Sequence, residues 1–181
     1  IVVRLVGSEM CIRDRVKTCL EMEKEILDLP VIKFQEENGE DYFFDGYTGL
    51  GKDSTTAKSW LYNLFDWNTP ETNYLKDQFK NKLDEYNTLL YNPIPKIYYS
   101  QCWYNVLRNG QKIEPHLHST NQNSYLSAHF TVQCDNTSTV YINPVDQLND
   151  PQFFEEKNEI GNLTIFPSCL LYTSPSPRDG L

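Results

Sequence analysis

The sequence is poor in positive charge. Of its 181 residues only 16 are lysine or arginine, against 25 aspartate or glutamate, which gives a formal net charge of -9 at pH 7. Because a surface that neutralises nucleic-acid phosphates needs clustered lysine and arginine, this composition predicts a protein that does not bind nucleic acid. The sequence also lacks an apolar run long enough to cross a bilayer, so we expect no membrane association.

Cysteine is scarce and irregularly spaced. The five cysteines form no CxxC pair of the kind that binds zinc. Unpaired thiols are typical of a reducing compartment, which predicts a cytoplasmic protein. Aromatic residues are abundant instead, with 12 Tyr, 9 Phe and 3 Trp. Their large apolar surfaces are sufficient for the core of one domain.

The two ends of the chain are related to each other through their DNA. Residues 169–179 can be written in codons whose reverse complement, shifted in frame, encodes residues 5–14. The shared element resembles the transposase end and adapter with which DNA is fragmented for sequencing. We therefore expect residues 1–15 and 169–181 to be adapter-derived and not native. Residues 16–168 are then expected to form a single domain.

The first part of this domain, residues 16–92, is predicted to contain two helices and a hairpin. Apolar residues recur at helical spacing from Val16 to Leu29, which predicts an amphipathic helix that ends before Pro30. Asn38-Gly39 separates two short strand-like runs and predicts a tight β-turn. A second apolar stripe predicts a helix that packs across a sheet, and its members are Leu75, Phe79, Leu83, Tyr86 and Leu90.

The second part, residues 93–168, is predicted to be rich in β-strands. Strand-like segments are separated by turns of Asn, Gly, Asp and Pro, and they cover residues 97–107, 113–118, 125–133, 139–142 and 160–166. Helices followed by a run of antiparallel strands indicate an α+β chain. The strand half is predicted to be a β-sandwich or jelly roll.

A His-x-His pair, His116 and His118, is the feature of this half most able to carry chemistry. We predict that it ends the second of two strands joined by a turn at Gly110. Alternate residues of a strand point to the same face, so the two imidazoles can bind one metal ion. We interpret His129, the third histidine of the chain, as a hydrogen-bonded or half-exposed side chain and not as a ligand.

Several motifs follow one another in this half of the chain. They are Trp103-Tyr104-Asn105-Val106, His116-Leu117-His118, Ser124-Tyr125-Leu126-Ser127-Ala128 and the segment from Gly161 to Ser168. Together they resemble the 2-oxoglutarate- and iron(II)-dependent oxygenases, specifically the prolyl-hydroxylase-like group of phages and marine bacteria. The resemblance implies a double-stranded β-helix, or jelly roll, with N-terminal packing helices and a barrel that is incomplete at its C-terminus.

The resemblance also implies a site and its cofactors. His116 and His118 would bind iron(II), 2-oxoglutarate would be the cosubstrate, and ascorbate would be an optional further cofactor. Since His118 stands where a carboxylate is more usual, iron would have three histidine ligands, or two with His118 in a supporting role. Asn105 resembles a position that lines the cosubstrate pocket, although packing or turn bonding explains it equally well. Ser127 and Thr164 can face the barrel interior.

The implied reaction is hydroxylation of a peptidyl or small-molecule substrate, with residues 45–67 as a lid or substrate wall. In the family a distal histidine and then a basic residue follow the Phe-Pro-Ser segment. Residues 169–181 contain no histidine or lysine, and Arg178 lies in the expected adapter. We therefore expect the parent protein to be an oxygenase and this chain to be inactive.

Two other classes of protein stay open at this point. A cupin-type metalloenzyme would also use His-x-His but needs no 2-oxoglutarate. It usually adds a nearby glutamate, and the stretch from Ser119 to Ser124 contains none. A non-catalytic β-sandwich binding module would carry His116 and His118 as incidental residues.

Overall fold

The computed structural model describes residues 2–4, 9–35, 37–91, 97–118, 122–143 and 151–177. Within them the chain is a mixed α+β protein with antiparallel sheets. Its helices are α1 (Glu9–Leu27) and α2 (Pro70–Leu89), with short 3-10 turns at Thr56–Lys58 and Leu64–Asp66. Its strands are β1 (Val2–Arg4), β2 (Lys33–Gln35), β3 (Asp41–Phe43), β4 (Leu126–Phe130), β5 (Thr137–Ile142), β6 (Phe153–Lys157), β7 (Asn162–Pro167) and β8 (Leu171–Pro177). No helix in the described ranges combines the length and the apolar character that a bilayer span requires.

Helix α2 begins where its capping residues allow it to begin. The Thr69 side chain accepts a hydrogen bond from the backbone N–H of Thr72, and the Thr72 side chain accepts one from the Thr69 backbone N–H. This reciprocal capping box satisfies two N–H groups that a helix start leaves free, and Pro70 lacks an N–H to satisfy. The helix therefore starts before the first apolar residue of its stripe, Leu75.

Helix α1 is longer than the sequence pattern predicted. It starts at Glu9 and not at Val16, so it extends into the segment expected to be adapter-derived. Lys58, only 1% exposed, donates a hydrogen bond from Nζ to the carbonyl of Leu29 at 2.7 Å. This contact satisfies a carbonyl just beyond the helix end, where a cation is favoured by the helix dipole.

The predicted hairpin is confirmed. Strands β2 and β3 pair in antiparallel register, with Phe34 opposite Tyr42. Gly39 has φ +86°, a backbone conformation that glycine adopts without strain, and the Asn38 side chain accepts a hydrogen bond from the Glu40 backbone N–H.

Two three-stranded sheets carry the rest of the strands. Sheet A has the order β1-β7-β4, and sheet B has the order β6-β5-β8. One face of sheet A is apolar and is covered by α2, because Leu163 and Ile165 of β7 pack against Phe79 and Tyr86. This packing confirms the predicted contact between the second helix and a sheet.

The opposite face of sheet A meets sheet B. Alternation along β7 turns Phe166 toward Tyr141 of β5 and Tyr172 of β8, and the three rings form a buried cluster. Among the described residues the two sheets do not close into a barrel. Ser127 and His129, which alternate with helix-facing residues of β4, project into this inner face, where their contacts lie.

The predictions of strands at residues 97–107 and 113–118 are wrong. Neither segment forms a strand, apart from an isolated bridge at His116. Their backbone groups bond mainly to side chains and loops instead: Cys102 N–H donates to the Asn63 side chain, and Glu114 N–H donates to the Thr48 carbonyl. Conversely, strand β6 is present in the structure although the sequence pattern does not predict it. Its side chains are mostly exposed, so its sequence shows no clear apolar alternation.

Candidate functional site

The His-x-His segment places its two histidines on one face even without a strand ladder. His116 is 7% exposed, while the intervening Leu117 is 49% exposed and points outward. The imidazole rings of His116 and His118 have centroids 5.1 Å apart. This matches the alternation of side chains that a strand-like segment shows.

Strand β8 holds the histidine segment in place. His116 and Tyr172 form an isolated antiparallel bridge, in which His116 N–H donates to the Tyr172 carbonyl at 3.0 Å and Tyr172 N–H donates back at 3.2 Å. The Tyr172 ring lies 4.7 Å from the His116 ring and 5.2 Å from the His118 ring. The Trp103 ring packs edge-on against His118 at 5.0 Å. We call these four residues, with Ser127 and Ser168, the inner cluster.

Hydrogen bonding determines the tautomer of His116. Its Nδ1 lies 2.9 Å from the Glu114 backbone carbonyl oxygen. A carbonyl only accepts, so Nδ1 carries the hydrogen and donates it. In the neutral ring the lone pair is then on Nε2.

His118 is held at both ring nitrogens. Its Nδ1 lies 3.2 Å from the Ser127 hydroxyl, and its Nε2 lies 2.9 Å from the Tyr172 hydroxyl. Burial raises the pKa of the Tyr172 phenol above its ordinary range, so the phenol keeps its proton. Both partners of His118 are hydroxyls, which can donate or accept, so these contacts fix the orientation of the ring and not its tautomer. The Ser127 hydroxyl also lies 3.0 Å from the hydroxyl of Ser168.

Both rings are neutral at physiological pH. Burial lowers the pKa of His116, partly offset by its bond to Glu114 and by Asp45. Burial lowers the pKa of His118 to about 4, with smaller contributions from His116 and His129. A neutral imidazole is the form that binds a metal, so the environment of the inner cluster favours the ligand state.

His129 belongs to a second group of polar side chains on the same inner face. Its Nδ1 lies 3.3 Å from the Tyr141 hydroxyl, and that hydroxyl donates its hydrogen to Glu156 at 3.3 Å. Thr164 donates to the other oxygen of Glu156 at 2.9 Å. Burial lowers the pKa of His129 to about 4. We call these residues the His129 network; their contacts are those of a hydrogen-bonded histidine.

Asn105 lies at the exposed surface, and its side-chain oxygen accepts a hydrogen bond from Thr56. Its role in cosubstrate binding stays a prediction.

Thr56 belongs to the segment of residues 45–67, which is tied to the histidine half of the chain at several points. Thr55 donates to the Tyr104 carbonyl, and a Cβ on Gly49 would lie 2.9 Å from the Glu114 side chain. The role of this segment as a lid or substrate wall stays a prediction.

Sequence reasoning missed the residues that surround the two histidines. Tyr172 lies in the segment predicted to be adapter-derived, and no sequence pattern relates it to His118. Ser168, 3% exposed, contacts Ser127 from the end of β7, a relation that only tertiary structure reveals. The sequence does indicate an inward-facing position for Ser127, and the structure places its side chain on the inner face, in contact with Ser168.

Within the described part of the chain, no group of three His, Cys, Asp or Glu side chains is arranged to hold a metal ion. The described cysteines at positions 19, 102, 134 and 169 are unpaired thiols.

Comparison with known proteins finds no matching family model, curated protein or solved structure.

Proposed function

We propose that this chain is a fragment of an iron(II)- and 2-oxoglutarate-dependent oxygenase, with His116 and His118 as metal ligands. The orientation of the two imidazole rings is the main observation that supports the proposed metal site. His116 Nδ1 donates to the Glu114 carbonyl, which leaves the lone pair on Nε2, and the His118 ring is held between the hydroxyls of Ser127 and Tyr172. Outer partners of this kind orient histidine ligands in metalloproteins and fix their tautomer.

The location of the pair supports the oxygenase class over a surface site. Both histidines lie beside the inner face between sheets A and B, where Phe166 and Tyr172 are buried. A jelly roll is likewise built from two antiparallel sheets. We propose that the described sandwich is such a jelly roll, incomplete at its C-terminal side.

Iron(II), when bound with 2-oxoglutarate and O2, supplies the oxidising power to hydroxylate a C–H bond of a peptidyl or small-molecule substrate. The chain itself supplies two neutral nitrogen ligands, a serine that orients His118, and aromatic rings that keep water from the site. The choice of iron and 2-oxoglutarate, with ascorbate as an optional cofactor, rests on the motif resemblance.

The distant carboxylate of 2-oxoglutarate needs a basic partner, and this chain offers a poor one. Arg108 is the one arginine of residues 16–168, and its guanidinium pairs with Glu23 of α1 at 2.9 Å. We therefore propose that the chain binds the metal but does not turn over 2-oxoglutarate.

The test compares two proteins: this chain, and a version in which residues 169–181 are replaced by the parent gene's own continuation. We expect the second protein to form succinate only with iron(II) and 2-oxoglutarate, and to lose this activity in His116→Ala. We expect no succinate from the first. A continued chain that binds iron but consumes no 2-oxoglutarate would support the cupin-type alternative. One that binds no metal would support the binding module.

A further inference from the structure

Five aromatic side chains form a contiguous surface on the β2–β3 hairpin and the segment that follows it. The rings of Phe34 and Tyr42 stack across the two strands, with centroids 5.6 Å apart. The Phe44 ring lies 5.8 Å from that of Phe34 and 4.9 Å from that of Tyr47. The Trp60 ring lies 6.3 Å from that of Phe44. We call these five residues the aromatic strip, and we propose that it is a docking surface for an arginine-containing segment of another polypeptide.

The rings of the aromatic strip contact one another but are open to solvent. Tyr47 is 74% exposed and Trp60 is 53% exposed, and Phe34 and Tyr42 are exposed as well. Contiguous exposed apolar surface with a polar rim marks interaction sites, and Trp and Tyr are frequent anchors of such interfaces. The strip therefore has the composition of a binding surface.

The charge around the strip selects a cationic partner. Residues 33–47 contain one lysine and five carboxylates, a net charge of -4. The carboxylates belong to Glu36, Glu37, Glu40, Asp41 and Asp45. Lys33 is paired with Asp41 at 3.8 Å, and one lysine can offset only one of the five negative charges. The rings thus lie in a stretch with unbalanced negative charge, which attracts a cation.

The opposite face of the hairpin shows how a ring and a carboxylate together hold a cation. There the Nζ atom of Lys33 lies 5.7 Å from the centroid of the Phe43 ring, and it is the same atom that pairs with Asp41. The face of an aromatic ring attracts a cation through its quadrupole, and a neighbouring carboxylate adds attraction between opposite charges. The aromatic strip offers a larger number of rings for the same purpose.

Rings and carboxylates in one stretch match an arginine side chain better than other ligands. The planar guanidinium stacks on aromatic faces and also binds a carboxylate through two hydrogen bonds, which an ammonium group does not. A second copy of this chain would bring the same negative charge against the strip, since a symmetric dimer joins identical patches. Nucleic-acid phosphates would be repelled in the same way, and an uncharged sugar would make no use of the charge.

The experiment measures binding of a fluorescent peptide of alternating arginine and glycine to the full 181-residue chain by fluorescence anisotropy. We expect saturable binding that weakens as salt is added. Tyr47→Ala and Trp60→Ala should each weaken it by about two- to fivefold, the effect of losing one exposed cation–π contact. Glu40→Gln should also weaken it and should reduce its dependence on salt. A peptide with glutamate in place of arginine should not bind.

Two exposed residues outside the strip provide matched controls. Tyr99 is 99% exposed, so Tyr99→Ala removes a tyrosine ring without changing the strip. Glu155 is an exposed carboxylate on β6, so Glu155→Gln changes the net charge of the protein as Glu40→Gln does. Both variants should bind the arginine peptide as the parent chain does. Circular dichroism establishes that every variant keeps the fold.

Three results would overturn the docking surface. The first is a parent chain that does not bind the peptide, and the second is equal binding in Tyr47→Ala, Trp60→Ala and Tyr99→Ala, which would reflect net charge alone. The third is a different occupant: a dimer in sedimentation that dissociates in Trp60→Ala, or equally tight binding of an uncharged maltodextrin. No residue of the strip is a proposed metal ligand, so each of these results leaves the test of the proposed function unaffected.

Discussion

A histidine binds a metal only through a ring nitrogen without a hydrogen, so tautomers decide what the pair can do. The hydrogen-bond partners of Nδ1 come from different places: a carbonyl two residues before His116, and the hydroxyl of Ser127, nine residues after His118. Spacing in the sequence predicted that the two rings share a face, and they do. It could not predict these partners, because the Ser127 contact depends on the packing of β4 against the histidine segment.

Replacing Ser127 with alanine should weaken metal binding without unfolding the protein. The variant removes the hydroxyl that contacts His118 Nδ1, and outer partners of this kind are worth about 10- to 100-fold in metal affinity. The measurement is iron(II) affinity by calorimetry, with circular dichroism to establish that the fold persists.

Ser138→Ala is the matched control for this variant. Among described residues, the Ser138 hydroxyl is the one buried side-chain group without a hydrogen-bond partner, so its removal should leave stability unchanged or raise it. Metal affinity should stay as in the parent chain. Equal affinities in Ser127→Ala and Ser138→Ala would contradict the positioning role of Ser127.

Burial of neutral histidines predicts a pH-dependent stability of the metal-free protein. Burial lowers the pKa values of His118 and His129 to about 4, whereas an unfolded chain has histidine pKa values near 6.5. Between these values the unfolded state binds more protons than the folded state. The free energy of unfolding therefore falls as pH falls from 6.5 to 4, by on the order of 1–3 kcal/mol for each histidine.

Urea unfolding at a series of pH values measures this effect. His129→Gln removes one titrating group, keeps a side chain that can bond to Tyr141, and should show a shallower fall than the parent chain. A parent and variant that lose stability equally over this range would show that His129 is not a neutral buried group.

At the scale of elements, helices were easier to predict from sequence than strands. The stripe of α2 and the Asn-Gly turn of the hairpin are local patterns, and both appear in the structure. The segment of residues 97–107 has strand composition, but its hydrogen bonds go to side chains of the preceding loop, such as Asn63 and Tyr62. Strand propensity is overridden here because a backbone N–H group needs a hydrogen-bond acceptor, and a side chain can supply one as well as a neighbouring strand can.

The capping box of α2 predicts a measurable loss of stability in Thr69→Ala. The hydrogen bond from the Thr72 backbone N–H to the Thr69 hydroxyl would disappear, at a cost of about 1 kcal/mol. Urea unfolding measures the difference. Thr88→Ala, at the exposed far end of the same helix, should change stability by less than about 0.5 kcal/mol; a larger loss there than at Thr69 would show that capping does not govern this helix.

At the scale of the whole molecule, the two segments predicted to be adapter-derived lie in the sheets. Strand β1 pairs with β7, and β8 pairs with β5 along most of its length. Strand pairing uses backbone N–H and carbonyl groups, which every residue type except proline provides in full. A segment of foreign origin can therefore still pair in a sheet. The origin of the segments stays a prediction, as does the division of the chain at residues 92 and 168.

Ending the chain at Ser168 should destabilise the sandwich. Strand β8 covers the free edge of β5, and its Tyr172 ring packs on Tyr141 and Phe166. Without it, the two remaining rings become accessible to water, so we expect a lower melting temperature and binding of an apolar dye. Removing residues 1–4 is the comparison, since the three-residue pairing of β1 should matter less. Equal melting temperatures for the parent and the shortened chain would contradict a structural role of β8.

Metal binding to single-histidine variants tests the central claim most directly. Calorimetric titration of the chain with iron(II) under anaerobic conditions should give one ion per chain. His116→Ala and His118→Ala should each weaken this binding by more than about tenfold, while His129→Ala, in the His129 network, should bind as the parent does. Binding that survives in both His116→Ala and His118→Ala, or that is lost equally in His129→Ala, would contradict the account.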